Sequence, residues 1–223
     1  MFSLKSNYRR GLETTYLCII LAMLVIGLSA CQAPQPAAPT QTPAVHTPAP
    51  ATSQPIQVTA TPARTAWIAD GIISPGEYQN TQTYGDYTIN WSNDDQYVYI
   101  GMQAKTMGWV AVGFGATIFM NNANIVQGYF NNGKAVVADQ YSSGNFGPHD
   151  DITTLGGTYG ILDSGGTQAN GITIIEFKRK LAPGDKYHAA LVKGTNKIIW
   201  ACGGDNQYLI KHVSRGEGAI TIQ

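Results

Sequence analysis

Tyr87-Thr88-Ile89-Asn90-Trp91-Ser92, then Asn93-Asp94-Asp95, then Gln96-Tyr97-Val98-Tyr99-Ile100-Gly101-Met102-Gln103-Ala104 form one continuous stretch of the chain. In the first run large and polar side chains alternate, and in the last Val98, Ile100, Met102 and Ala104 share one parity. Successive strand side chains leave on opposite faces, so each run reads as a strand with one face in a core. Between them, short polar side chains that hydrogen-bond their own backbone turn the chain. The pair predicts a hairpin.

Similar short runs follow over 108–114, 124–130, 135–139, 172–177, 187–192, 197–201 and 219–222, and Asn131-Asn132-Gly133 supplies a turn between two of them. No stretch has convincing helical periodicity. About nine or ten strands, low in charge and punctuated by Gly, Asn and Asp, predict an all-β domain. Its expected form is an immunoglobulin-like antiparallel β-sandwich over residues 65–223.

The segment 31–64 is built from Pro, Ala, Thr and Gln, with Pro34, Pro36, Pro39, Pro43, Pro48, Pro50, Pro55 and Pro62 at short intervals. Such a composition has too little apolar surface for a core and favours extended polyproline II, so the expectation is a disordered tether reaching up to roughly 100 Å. His46 within it reads as a solvated side chain.

Residues 1–30 carry Lys5, Arg9 and Arg10, then an apolar run from Tyr16 to Leu28 that ends at Leu28-Ser29-Ala30-Cys31. The run is shorter than the ~20 residues a permanent span needs, and small residues precede the cysteine, which predicts a cleaved lipoprotein signal peptide with Cys31 as the lipidated residue. An uncleaved anchor is the alternative, and both place the domain outside the cytoplasm. Two or more acyl chains on Cys31 would hold the protein stably at a bacterial cell membrane or outer membrane. Gln32, rather than an aspartate, follows Cys31, which gives no inner-membrane retention signal.

With Cys18 in the signal and Cys31 lipidated, Cys202 is the one cysteine left in the domain, so a disulfide framework is excluded. Cys202 lies in the apolar run Ile198-Ile199-Trp200-Ala201-Cys202 and reads as a small core residue. The chain holds 14 basic and 14 acidic residues; the first thirty residues remove Lys5, Arg9, Arg10 and Glu13, leaving a net charge of −2. With no basic stripe to replace phosphate counterions, nucleic acid is not expected as a partner.

The sequence shows no hydrolase triad, P-loop, zinc cluster or Cys-x-x-Cys-His haem attachment site, so no catalytic centre is expected and the protein reads as a carrier or sensor rather than an enzyme. What remains are soft and imidazole side chains able to hold a noncovalent cofactor. Met102 shares the core parity of Val98 and Ile100. Met120 precedes Asn121-Asn122 outside any regular strand, where a thioether has no packing reason. His212 has the parity of Tyr208 and Ile210, as a half-buried strand histidine would. His149, in Gly147-Pro148-His149-Asp150-Asp151, reads as a solvated turn residue, and His188 as part of a strand edge.

The ensemble Asp70-Gly71, Gly76-Glu77-Tyr78, Trp109-Val110-Ala111-Val112-Gly113-Phe114-Gly115, Met120-Asn121-Asn122, Gly128-Tyr129 and Asp139 resembles the DOMON domain family. The resemblance continues through Glu176-Phe177-Lys178-Arg179-Lys180-Leu181, Gly184-Asp185, Ile198-Ile199-Trp200-Ala201, His212 and Arg215-Gly216. This β-sandwich family includes the haem b cytochrome domain of cellobiose dehydrogenase. In its haem-binding members a methionine after the glycine-rich strand and a histidine near the C-terminus coordinate haem b from opposite sides. The resemblance places these ligands on Met120 and His212, with Met107 a nearby alternative for the sulfur.

By the same implication Trp109, Phe119, Tyr129 and Tyr208 would wall a noncovalent haem b, and Lys211 or Arg215 would pair with its propionates. The expected function is a membrane-tethered extracytoplasmic electron-transfer or redox-sensing domain, with a redox partner protein as its counterpart. The main rival is a carbohydrate-binding or adhesive sandwich without haem, with Trp91, Tyr97, Tyr99 and Trp109 as a stacking platform. Copper is a third possibility for a Met and His pair, although the sequence offers no compact cluster for it.

Overall fold

The structure is a computed structural model that describes residues 66–223. The expected signal peptide, Cys31 and tether lie outside the described residues. The expected hairpin is present as β2 (Tyr87–Asn93) and β3 (Tyr97–Ala104), paired antiparallel from Tyr87↔Ala104 to Asn93↔Val98. Asp94 makes the turn: Oδ1 accepts the backbone N–H groups of Gln96 and Tyr97 at 2.8 and 2.7 Å, and Oδ2 accepts the Tyr99 hydroxyl at 2.7 Å. Partial burial would raise the Asp94 carboxyl, but these hydrogen bonds hold it below its ordinary value.

The remaining strands are β1 (Asn80–Tyr84), β4 (Val110–Phe114), β5 (Asn124–Asn131), β6 (Lys134–Ser142), β7 (His149–Asp151), β8 (Ile161–Ala169), β9 (Ile172–Lys180), β10 (Gly194–Cys202) and β11 (Ser214–Ile222). They form a five-stranded sheet ordered β1-β2-β3-β9-β8 and a six-stranded sheet ordered β11-β10-β4-β5-β6-β7, and all strand pairs are antiparallel. The all-β sandwich is therefore as expected, with eleven strands instead of nine or ten.

The core lies between the sheets. Ile89, Val98, Ile100 and Met102 from one sheet meet Val110, Val112, Phe114, Val126 and Ile198 from the other, all essentially inaccessible. Cys202 is buried there as a free thiol. At one end the core turns polar. Arg179 donates to Asn124 Oδ1 and the Ala189 carbonyl, Asn124 Nδ2 donates to Asp139 Oδ1 at 2.8 Å, and Asp139 Oδ2 lies 2.7 Å from His188 Nε2.

Two local expectations are corrected. Residues 187–192 are an irregular connection, because their backbone groups are claimed by side chains: Asp185 Oδ1 accepts the N–H groups of Tyr187 and His188, and Asn196 Oδ1 accepts that of Val192. His188 is accordingly a buried residue held between Asp139 and Asp185, at 2.7 Å from each carboxylate, and not part of a strand edge. Conversely, β8 has no apolar alternation, yet it pairs along β9. Its Gly165 lies so close to the Ala69 carbonyl that a Cβ would come within 1.9 Å, which is why glycine stands there.

Candidate functional site

The six-stranded sheet has a second, outer face. Val110, Val112 and Phe114 of β4 and Ile198 and Cys202 of β10 point into the sandwich, so the alternate residues Ala111, Gly113, Ile199 and Ala201 point away from it. Ala111 and Ile125 join Trp109 and Ala123 in a separate apolar cluster, packed by Met120, Tyr129, Ile199, Ala201 and Tyr208. Small residues at the centre make this face a flat apolar floor. The usual outcome for an outer sheet face is polar side chains in water, so an apolar one implies a cover.

Two loops rise at opposite ends of that floor. Register fixes which end each occupies: Phe114 pairs with Asn124 and Ile198, whereas Val110 pairs with Gly128 and Cys202. The β4–β5 connection, with Met120, therefore stands at the Phe114 end, and the β10–β11 connection, with His212, at the Val110 end. β4 itself separates them by roughly 13 Å at ~3.4 Å per residue.

The Met120 loop is tied down by its own backbone. Thr117 and Ala123 donate to the carbonyls of Asn121 and Met120 at 2.9 and 3.0 Å, and Asn122 donates to Ser142 at 2.8 Å. Met120 N–H reaches the Asn145 carbonyl at 3.3 Å, and the Phe119 and Phe146 rings meet at 5.0 Å. The loop over 143–148 is thus packed on the Met120 loop. At the other end the Trp109 N–H donates to the Asp205 carbonyl at 3.1 Å, the Gly203 N–H donates to the Trp109 carbonyl at 2.8 Å, and Gln127 Nε2 donates to the Tyr208 carbonyl at 2.9 Å.

Between the loops lies a cavity of about 760 Å³, within the range of small-molecule and cofactor sites. Met120 and His212 both line it, as do Trp109, Phe119, Tyr208, Lys211 and Arg215. Tyr129, expected as a wall, does not line it; it lies beneath, stacked on Tyr208 at 4.5 Å. Met107 is 47% exposed in the β3–β4 connection and is not part of the wall. His212 sits in an irregular segment rather than in a strand with Tyr208 and Ile210, although all three face the same cavity.

His149 corrects a further expectation. It opens β7 and lines the cavity on the Met120 side, half-buried, with its Nδ1 enclosed and without a hydrogen-bond partner. The sequence suggested a solvated turn because Pro148 and two aspartates flank it; the missed signal was the pairing of His149 with Ser142, which brings it beside the Met120 loop. The small residues Ala111 and Gly113 on one parity of β4, against Val110, Val112 and Phe114 on the other, were also legible in principle.

Burial, and next the Arg215 guanidinium, hold the His212 imidazole below its ordinary pKa, and burial does the same for His149. Both rings are therefore neutral donors at neutral pH, the form a metal requires. His212 Nε2 lies 3.3 Å from Arg215 Nη1. A thioether and an imidazole at opposite ends of a flat apolar floor, with two cations at one lip, form a donor set suited to a flat metal-centred ring bearing acidic groups. Exposed Phe119, Phe146, Leu209 and Ile210 at the mouth fit the same need for apolar contact.

The stacking platform of the sugar-binding alternative is not assembled. Trp91 is 6% exposed with its Nε1 donating to the Thr221 carbonyl, and Trp109 is 5% exposed in the cavity wall; Tyr97 and Tyr99 stand on the other sheet with Lys178 over their rings. Among the described residues, no group of three or more His, Cys, Asp or Glu side chains is gathered as a metal cluster.

Comparison with known proteins gives a match to the DOMON domain family model over residues 83–203, a span that contains Met120 and His149 and ends before His212. The human DBH-like monooxygenase protein 1 is 28% identical over 117 residues, which is 52% of this chain and 18% of that protein. The chain thus matches less than a fifth of the length of this relative. Among solved structures, the cytochrome b domain of pyranose dehydrogenase from Coprinopsis cinerea superposes with a TM-score of 0.47 at 13% identity, covering 60% of this chain and 76% of that one. The cytochrome domain of Myriococcum thermophilum cellobiose dehydrogenase gives 0.46 at 13% identity, covering 61% and 75%.

Proposed function

The chain belongs to the DOMON domain family, and from that premise we propose that it is a membrane-tethered, extracytoplasmic haem b domain that carries electrons. In this proposal Met120 and His212 are the residues that would hold the iron. The observation that carries it is their placement in the walls of one cavity, at opposite ends of an apolar sheet face. Haem b held there would supply a one-electron iron couple, and a thioether with an imidazole is a donor pair that favours the ferrous state.

Each part of the chain has a task in this reading. Ala111, Gly113 and Ala201 leave a flat floor, and Trp109, Phe119 and Tyr208 exclude water from it. His212 presents a neutral imidazole. Arg215 and Lys211, at the same lip, supply charge for carboxylates, and Arg215 would turn from the His212 ring toward such a group. Cys31 and the 31–64 tether would keep the domain at the membrane while letting it swing between a donor and an acceptor protein. The proposed role is that of a carrier with no substrate chemistry of its own.

The test is reconstitution of the purified domain with haem b. The wild type should give a six-coordinate low-spin spectrum with a sharp reduced α band, and His212→Ala should lose it. A wild-type protein that takes up no haem, or a His212→Ala variant with an unchanged spectrum, would remove the proposal.

A further inference from the structure

We propose that His149 is a second donor at the Met120 end of the cavity, so that a ring held by His212 can take either the Met120 thioether or the His149 imidazole on its other side. This rests on the haem proposal above. Three observations point to it.

The first is position. His149 pairs with Ser142, and Ser142 exchanges backbone hydrogen bonds with the Met120 loop, donating to Ala123 and accepting from Asn122 at 2.9 and 2.8 Å. Two residues ahead of His149, a Cβ on Gly147 would sit 3.8 Å from Met120 Cε. The two side chains thus belong to one wall, opposite His212.

The second is the unmet valence of the ring. A buried imidazole is ordinarily satisfied at both nitrogens, as His188 is between Asp139 and Asp185. His149 has no side-chain hydrogen bond to any described residue, and its Nδ1 is enclosed. Because Nδ1 is closed off, the nitrogen left for a group in the cavity is Nε2, which is not enclosed and has no hydrogen bond to a described residue.

The third is chemical fit. Imidazole and thioether are both established haem donors, and both side chains line the same cavity. The exchange breaks one iron–sulfur bond and forms one iron–nitrogen bond; the ring is neutral, so no proton or electron moves. The imidazole-ligated form has the lower potential, because methionine ligation raises it. A second donor thus gives the carrier two potentials within one fold.

The experiment uses haem-reconstituted domain and four proteins: wild type, Met120→Ala, His149→Ala and the double variant. Met120→Ala should lose the sulfur-to-iron charge-transfer band, stay low-spin and show a lower midpoint potential. The double variant should become high-spin and return to low-spin on adding free imidazole. A high-spin Met120→Ala protein, or a double variant that remains low-spin without imidazole, overturns the role of His149 and leaves the haem proposal standing. A wild type that binds no haem defeats both, and that result is seen before any variant is read. If His149→Ala fails to fold by circular dichroism, His149→Gln replaces it, keeping a polar side chain of similar reach without an imidazole.

Discussion

Tyr129 and Tyr208 stack with ring centroids 4.5 Å apart and planes 11° from parallel. Tyr129 stands on β5 and Tyr208 in the irregular segment that carries His212, so this pair pins the one long connection at that end to the sheet. Offset-stacked aromatic pairs contribute about 0.5–1.5 kcal/mol beyond the area they bury. Tyr129 does not line the cavity, so its loss acts only through the position of its partner. Tyr129→Ala should therefore weaken haem affinity by about 2–10-fold, measured as faster transfer of haem to an acceptor protein. An unchanged transfer rate would mean that hydrogen bonds position the segment without the stack, from Gln127 to the Tyr208 carbonyl and between Asn206 and both Phe130 and Gln168.

The floor makes a complementary prediction. Ala201 is half-buried on the outer face of β10 and faces the cavity. Phenylalanine there would occupy space claimed by the ring while leaving the inter-sheet core untouched. Ala201→Phe should abolish haem uptake and shift the apoprotein Tm by no more than a few degrees, because surface-facing changes away from the core cost little. Haem binding at wild-type affinity would show that the group sits elsewhere.

How much of this was legible in the sequence follows from what each signal encodes. The β2–β3 hairpin could be read directly, since Val98, Ile100, Met102 and Ala104 alternate and all reach the core. Strand β1, Asn-Thr-Gln-Thr-Tyr, could not, because its side chains are mostly exposed and its pairing to β2 is carried by backbone. Tyr187 to Val192 looked like a strand because its residues have strand propensity, but Asp185 and Asn196 satisfy its backbone locally, a choice that propensity does not report. Met120 and His212 were found through family resemblance, and their shared cavity is a fact of register between strands far apart in sequence. The place of His149 in the same cavity wall was not legible for the same reason: its neighbour is Ser142 across a loop, not the aspartates beside it.

The polar end of the core predicts one pH dependence. The His188 imidazole is held above its ordinary value, chiefly by its hydrogen bond to Asp139, with burial opposing and Asp185 assisting. A folded pKa above the unfolded one means that this stabilisation is complete below about pH 6.5 and is lost as pH rises through the folded value. Wild-type Tm should decline above that pH, and His188→Gln should lack this part of the slope. Asp139→Asn, which keeps one oxygen and so cannot accept both from Asn124 at one side and from the Gly160 N–H and His188 at the other, should cost about 3–5 kcal/mol, or roughly 6–20 °C in Tm. A Tm within a degree of wild type would show that the buried pair contributes nothing net.

Glu176 predicts a second dependence in a lower window. Its carboxyl is buried beneath the first described segment, accepting the Gly71 N–H at 2.6 Å and the Tyr78 hydroxyl at 2.7 Å. Burial pushes its pKa up to about 7 from 4.5, against the lowering effect of those two hydrogen bonds. A raised folded pKa again means stability that is fully present below the unfolded value and falls as pH rises from about 4.5 through about 7. Glutamine cannot ionise, yet it keeps an oxygen for the Gly71 N–H and offers an amide to the Tyr78 oxygen. Urea unfolding of Glu176→Gln should therefore lack the share of the decline between pH 4.5 and 7 that Glu176 contributes, keeping the His188 decline above about pH 6.5, and the variant should gain on the wild type between pH 5 and pH 8. Parallel stability curves for the two proteins would place the Glu176 proton at its ordinary carboxylate affinity, with Tyr78 and Gly71 compensating burial in full.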